Sequence, residues 1–314
     1  MSNPQRTGAL LIVAASAGYS FLPIFANFAY DAGLTAMDVV TWRFIFATPA
    51  IWLVASRFGW QGGETLRRIP LLLMGSIFAV TAMMAFFALE RMPASTFVVL
   101  VYIYPAFVAV FSLFTGERLP AVGWAALALT IVGIGLTVPD FFSGFSQSDP
   151  LAVGASIMNA ASYALYFVLS GRLLRGQTAL AQASALSITG SLLTLLAVAL
   201  LNGLAIPSNL TAWLCVIGVG WISTVIPISC IYAGVPKLGA PRAAILSMVE
   251  PVIGMTLFAL ILGEKTQPIQ LVGAALILFS AILLQVIGRT PMPEPNSEVL
   301  LPLEDSLQPE QSAV

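Results

Sequence analysis

The sequence predicts an all-α, polytopic membrane protein with ten transmembrane helices in two inverted five-helix repeats. Three observations carry that prediction. Of 314 residues, 59% are hydrophobic and only 9% charged, against about 25% charged in an ordinary soluble domain. The few charges stand between long uncharged runs. The two halves of the chain also match one another at a nearly fixed offset.

The uncharged runs mark the crossings in order. Thr7–Tyr30, Ile69–Leu89, Met92–Gly116, Leu119–Pro139, Pro150–Gly171 and Thr266–Gly288 each suffice for one span of about 20 residues. Gly176–Pro236 carries no charge over 61 residues and divides near Asn202–Asn209, where Gly203, Pro207 and Ser208 signal a turn. Ala36–Ser56 and Ala240–Leu262 complete the ten. Residues 1–6 are too short and polar for a secretory signal, so the first apolar run is expected to stay as a span.

Lysine and arginine set the expected orientation. With the N-terminus in the cytoplasm, the inside segments hold Arg6, Arg57, Arg67, Arg68, Arg118, Arg172, Arg175, Lys237, Arg242 and Arg289. The outside segments hold Arg91 and Lys265. Ten against two puts both termini inside. Residues 289–314, with five prolines and five acids, read as a solvated, disordered tail.

A shift of 146 residues lays Gly8-Ala9 on Gly154-Ala155, Ala14-Ala15-Ser16 on Ala160-Ala161-Ser162, Phe21 on Phe167, Ala94 on Ala240 and Pro105 on Pro251. One residue more aligns Gly116-Glu117-Arg118 with Gly263-Glu264-Lys265. Repeats of five spans, an odd number, must insert in opposite senses. Transporters built this way bind substrate near the midplane, between the halves. The repeats are expected over residues 7–139 and 150–288. Each Gly-acid-base triplet reads as a helix stop, because glycine just past a helix end accepts left-handed backbone.

One acid lies deep in an apolar run. Ten residues from Ala240, at about 1.5 Å per residue, put Glu250 roughly 15 Å down, the middle of an apolar layer about 30 Å thick. A carboxyl there needs a partner or a wet cavity. Pro251 follows it and crowds the carbonyl of Ser247. Arg43, the one cation inside a span, has several uses open to it: snorkelling to the interface, pairing with Asp38, clamping an anion, or pairing with Glu250. Polar stripes accompany these charges. Span 1 carries Ser16, Tyr19, Ser20, Pro23 and Asn27. Span 6 carries Asn159, Ser162, Tyr163, Tyr166 and Ser170. Such groups line a cavity or join helices. Tyr104, at the repeat position of Glu250, and Trp221 line the cavity or fill gaps. Pro23, Pro105, Pro227 and Pro251 are expected to bend their helices, Pro227 by freeing the Ser223 carbonyl.

The Glu-Pro-Val at 250–252 with Gly-Glu-Lys at 263–265, its echo Tyr-Pro-Ala at 104–106 with Gly-Glu-Arg at 116–118, and Trp-Arg-Phe at 42–44 resemble the EamA family of the drug/metabolite transporter superfamily. The resemblance covers residues 7–288. It implies a ten-helix, two-repeat carrier in a bacterial inner membrane, moving small metabolites such as amino acids by alternating access. It also implies that spans 5 and 10 stand outside the central cavity.

Other classes lose ground on composition. No histidine is present, which removes the commonest general base and metal ligand, so neither a cofactor nor a metal is expected and a membrane-embedded enzyme is the weaker reading. No phosphate-binding glycine loop argues for direct ATP use. No basic stripe argues for nucleic acid. Cys215 and Cys230 sit in apolar sequence, against a disulfide framework. The expected partners are a small-molecule substrate, the lipid bilayer and a proton visiting Glu250, in a monomer or homodimer. Export of an amino acid or related compound is the leading expectation. Uptake of an amine, nucleoside or vitamin is the alternative.

Overall fold

The computed structural model describes residues 4–57, 68–89, 91–92, 94–138, 148–175, 179–261 and 267–286. Among these, every regular element is a helix. The first half holds α1 (Pro4–Ser20), α2 (Leu22–Asp31), α3 (Ala36–Arg57), α4 (Arg68–Leu89), α5 (Ala94–Val101), α6 (Tyr104–Leu113) and α7 (Ala121–Thr137). The second holds α8 (Pro150–Leu173), α9 (Leu180–Asn202), α10 (Leu210–Gly220), a π-helical turn at Trp221–Val225, α11 (Ile226–Leu238), α12 (Ala240–Ser247), α13 (Glu250–Ile261) and α14 (Pro268–Val286).

Among the described residues, eight helical stretches are long and apolar enough to cross a membrane: Pro4–Asp31, Ala36–Arg57, Arg68–Ala85, Thr96–Leu113, Pro150–Leu173, Leu180–Asn202, Leu210–Leu238 and Ala240–Ile261. The predicted spans 5 and 10 correspond to shorter apolar helices, α7 and the stretch Pro268–Leu284 of α14. At 17 residues, α7 is about 25 Å long, somewhat under the apolar layer of a bilayer. Large apolar side chains such as Leu10, Leu53, Leu193, Leu200 and Leu260 face outward, as a lipid-facing surface requires. The protein is a multi-pass membrane protein. The Gly263-Glu264-Lys265 triplet and the tail from 289 lie outside the described residues.

Four long helices are interrupted, each two residues before a proline singled out in the sequence. Phe21 separates α1 from α2 ahead of Pro23, and Tyr102-Ile103 separates α5 from α6 ahead of Pro105. Met248-Val249 separates α12 from α13 ahead of Pro251, while Val225 ends the π turn ahead of Pro227. The cause is common to all: the ring removes one backbone donor and pushes on the carbonyl four residues back. Two of those carbonyls take side-chain donors instead. Ser16 Oγ donates to the Ser247 carbonyl at 3.2 Å, and Arg43 Nη2 donates to the Ser223 carbonyl at 3.0 Å.

The helix contacts follow the repeat. α1 packs on α11 as α4 packs on α8, α3 packs on α10 as α9 packs on α4, and α7 packs on α14. The tightest crossing is α4 against α9. A Cβ on Gly75 would stand 1.8 Å from the Ser187 carbonyl oxygen, and one on Gly190 would stand 2.0 Å from that of Leu72. Backbone cannot yield there as a flexible side chain would. Gly190→Ala is therefore expected to force the helices apart at a cost of about 1–3 kcal/mol. Thermal unfolding of the detergent-solubilised protein reads this as a lowered Tm; an unchanged Tm means that the crossing relaxes freely.

Candidate functional site: a central cavity with one acid and one base

The interrupted helices meet around a cavity of about 290 Å³. Glu250 begins α13 directly after the break at Met248-Val249, so the chain interruption delivers its carboxyl to the cavity wall. Tyr102, in the break of the fourth span, donates from its hydroxyl to Glu250 Oε1 at 3.4 Å. The Glu250 carbonyl accepts from Ser20 Oγ at 2.9 Å. Both contacts span the two halves of the chain.

Arg43 lies on the same cavity and is only 6% exposed. Its Nε donates to Thr224 Oγ1 and its Nη2 to the carbonyl that Pro227 frees. Thr224 Oγ1 in turn donates to the Val219 carbonyl at 2.8 Å, five residues back, a partner that the π turn supplies. Phe44 and Phe78 add rings at 5.4 and 5.8 Å from the guanidinium carbon, a cation–π arrangement. Neutral groups thus hold the charge in place. This burial argues against snorkelling, and no ion pair joins Arg43 to Asp38, whose carboxylate is held elsewhere. Its Oδ2 accepts from the Thr35 backbone N–H at 2.9 Å and from the Thr35 hydroxyl, and its Oδ1 accepts from the Ala205 N–H at 2.8 Å. Among the described residues Arg43 forms no ion pair with a carboxylate, Glu250 included. Thr189, its repeat counterpart, accepts from Trp52 Nε1 at 3.0 Å, so the second half has no matching cation.

Tyr19, Asn159 and Tyr163, from the two polar stripes, and Tyr104, at the repeat position of Glu250, also line the cavity. Tyr104 hydrogen-bonds Ser247 Oγ and stacks edge-on against Tyr163, centroids 4.7 Å apart. Asn159 Nδ2 donates to the Thr81 carbonyl at 2.6 Å. The Tyr19 hydroxyl is buried and has no hydrogen-bond partner among the described residues.

Three predicted residues are not brought there. Asn27 is exposed on α2. The Phe21 break re-aims that helix, so Leu22, Ala26 and Tyr30 take the cavity face instead of Pro23 and Asn27. Trp221 is 53% exposed, because the π turn rotates Ser223, Thr224 and Val225 inward in its place. Tyr166 is fully buried one layer behind the wall, its ring 5.1 Å from Phe78. Sequence reasoning missed Phe78, Thr81 and Phe97 on the cavity. Thr81, a hydroxyl in an apolar run, carried a faint signal; the two phenylalanines carried none. No described residue of α7 or α14 lines the cavity.

On the far side of Glu250 the halves touch. Gly116 has φ of +79° and ends α6, with the Glu117 N–H donating to the Ser112 carbonyl at 3.0 Å, as its reading as a helix stop requires. The next side chain does more than stop a helix. Glu117 pairs through Oε1 with Arg175, and its Oε2 accepts from the Ala240 N–H at 3.2 Å. One carboxylate joins the ends of the fourth and sixth spans to the start of the ninth.

The chain matches the model of the EamA-like transporter family over residues 6–138 and again over 151–286. It is 25% identical to the uncharacterized transporter YcbK of Bacillus subtilis, across 87% of this chain and 90% of that one. It is 32% identical to the pseudopaline exporter CntI of Pseudomonas aeruginosa, across 48% of this chain and 56% of the exporter. A solved crystal structure of a protein 20% identical in sequence superposes with a TM-score of 0.75, covering 90% of this chain and 98% of the other. That likeness concerns the fold alone.

Proposed function

Because this chain belongs to the EamA-like transporter family and is a membrane transporter, we propose that it carries a small zwitterionic metabolite, an amino acid or a related compound. The single observation behind this is the pair of opposite charges on one wall: Arg43, held by neutral groups, and Glu250, bonded to Tyr102. Unpaired with each other, they offer a carboxylate site and an ammonium site in one cavity. Its volume stands at the small end for ligand cavities, in keeping with a metabolite rather than a bulky drug.

In this reading α7 and α14 are the fifth and tenth crossings, and the two five-helix units lie upside down to each other. The exchange of helix contacts between halves supports that arrangement. The charge bias of the sequence supports both termini in the cytoplasm, and the bacterial relatives support a bacterial inner membrane. Substrate moves by alternating access, in secondary active or facilitated transport, with Glu250 visited by the coupled proton. The name of the pseudopaline exporter favours efflux as the direction.

Purified protein in liposomes tests the proposal. Preloading with an unlabelled amino-acid mixture is expected to drive saturable uptake of a labelled member against its gradient. Flux that never saturates and shows no counterflow across that mixture refutes the zwitterion reading.

A further inference from the structure

We infer that Glu250 has a second approach that admits small monovalent cations, separate from the route past Arg43. This rests on the reading of Glu250 as the transport acid. A second cavity, of about 280 Å³, lies between α2, α5 and α13 and the ends of α7 and α14. Val98, Tyr102 and Glu250 stand on the walls of both cavities. The first half of the fourth span is therefore a partition, and the carboxyl sits where two chambers meet.

The chambers differ in charge. In the central one Arg43 accompanies the acid. In the second, Glu250 is the one charged residue among the described residues of the lining. Its other polar side chains already have partners. Ser20 Oγ donates to the Glu250 carbonyl at 2.9 Å. Gln270 Nε2 donates to the Thr137 carbonyl at 3.1 Å, and Thr137 Oγ1 to that of Ile134 at 2.7 Å. Tyr102 and Phe258 contribute aromatic rings, to which cations are attracted. A chamber whose described lining holds one carboxyl, two rings and no fixed cation concentrates cations and repels anions. It is roomy enough for several waters, so a hydrated proton or a sodium ion reaches Glu250 without displacing a zwitterion beside Arg43. The titratable and charged groups lining the central cavity with Glu250 are Arg43 on α3, Tyr19 on α1, Tyr30 on α2, Tyr102 and Tyr104 in the fourth span, and Tyr163 on α8.

Gly254 gives direct access to the chamber. It lies on the wall, and a Cβ there meets nothing within 4 Å. In the full-length protein with Cys215→Ala and Cys230→Ala, the Gly254→Cys thiol is treated with a cationic methanethiosulfonate (ethyltrimethylammonium) or an anionic one (ethylsulfonate). After normalising to a free thiol, the cationic reagent is expected to react about tenfold faster. The preference should grow as pH rises and the carboxyl ionises, and vanish with Glu250→Gln. A thiol from Ala82→Cys, in the central cavity that Arg43 also lines, should show a smaller preference. Met255→Cys, on the same chamber wall, serves if the glycine variant does not fold. Protection by sodium at constant pH identifies sodium as the occupant, and protection by acid alone identifies the proton. No reaction with either reagent, or a preference that survives Glu250→Gln, overturns the inference. Flux lost in Glu250→Gln without any cation preference removes the chamber but leaves the transport reading standing. A preference with undiminished flux does the reverse.

Discussion

Glu250→Gln is expected to lower flux tenfold or more, equivalent to about 1.4 kcal/mol or more in the rate-limiting barrier, and to flatten whatever pH dependence the wild type shows. The substitution keeps the shape of the side chain and an oxygen for the Tyr102 hydroxyl, so the fold and the Ser20 contact to the backbone carbonyl remain. What it removes is the charge and the proton. The measurement is initial flux in liposomes across about pH 5 to 8, the range where most physiological switching occurs, with insertion checked separately. Wild-type kinetics throughout that range exclude Glu250 from the mechanism.

Arg43→Ala is expected to weaken zwitterionic and anionic substrates about tenfold to a hundredfold more than neutral ones of similar size, the range of a lost charge-assisted hydrogen bond of about 1.5–3 kcal/mol. Part of any loss will be structural, because the Ser223 carbonyl is left without its donor. Arg43→Lys separates the two effects. It keeps the positive charge but loses the planar fork that reaches both Thr224 and the carbonyl, so a charge role predicts partial rescue of zwitterion binding. Equal loss for charged and neutral ligands, with no rescue by lysine, assigns Arg43 to packing.

The sequence was most legible where chemistry and spacing coincide. An acid and a base inside apolar runs located the two charged walls of the cavity. Prolines at 23, 105, 227 and 251 located the interruptions, and with them the carbonyls at Ser223 and Ser247 that accept side-chain donors. Two of the three misplaced residues, Asn27 and Trp221, share a cause, while Tyr166 lies in the unbroken α8 and is simply buried behind the wall. Helical periodicity extrapolates a straight helix, and that phase is lost after the break at Phe21 and within the π turn at Trp221–Val225. Asn27 and Trp221 are therefore the residues lost, and Ala26 and Tyr30 those gained. Nor does proline alone announce a break: Pro49 and Pro236 lie inside α3 and α11, which continue through them. At two of the four interruptions, Ser223 and Ser247, another helix supplies a replacement donor, information that resides in the packing and not in the local sequence.

The Glu117 junction bears on how fast the molecule can change shape. Arg175 is 58% exposed, and an ion pair so close to water contributes about 0–1 kcal/mol. Undoing it is nearly free at ambient temperature. The stubborn part of the closure is apolar: Leu238 and the stem of Lys237 lie 3.0 Å from where a Cβ on Gly8 would be, along the α1–α11 contact. If the proposed alternating access opens this junction, greasy contacts only pinned by charge set a pace governed by temperature and by the surrounding lipid rather than by ionic strength.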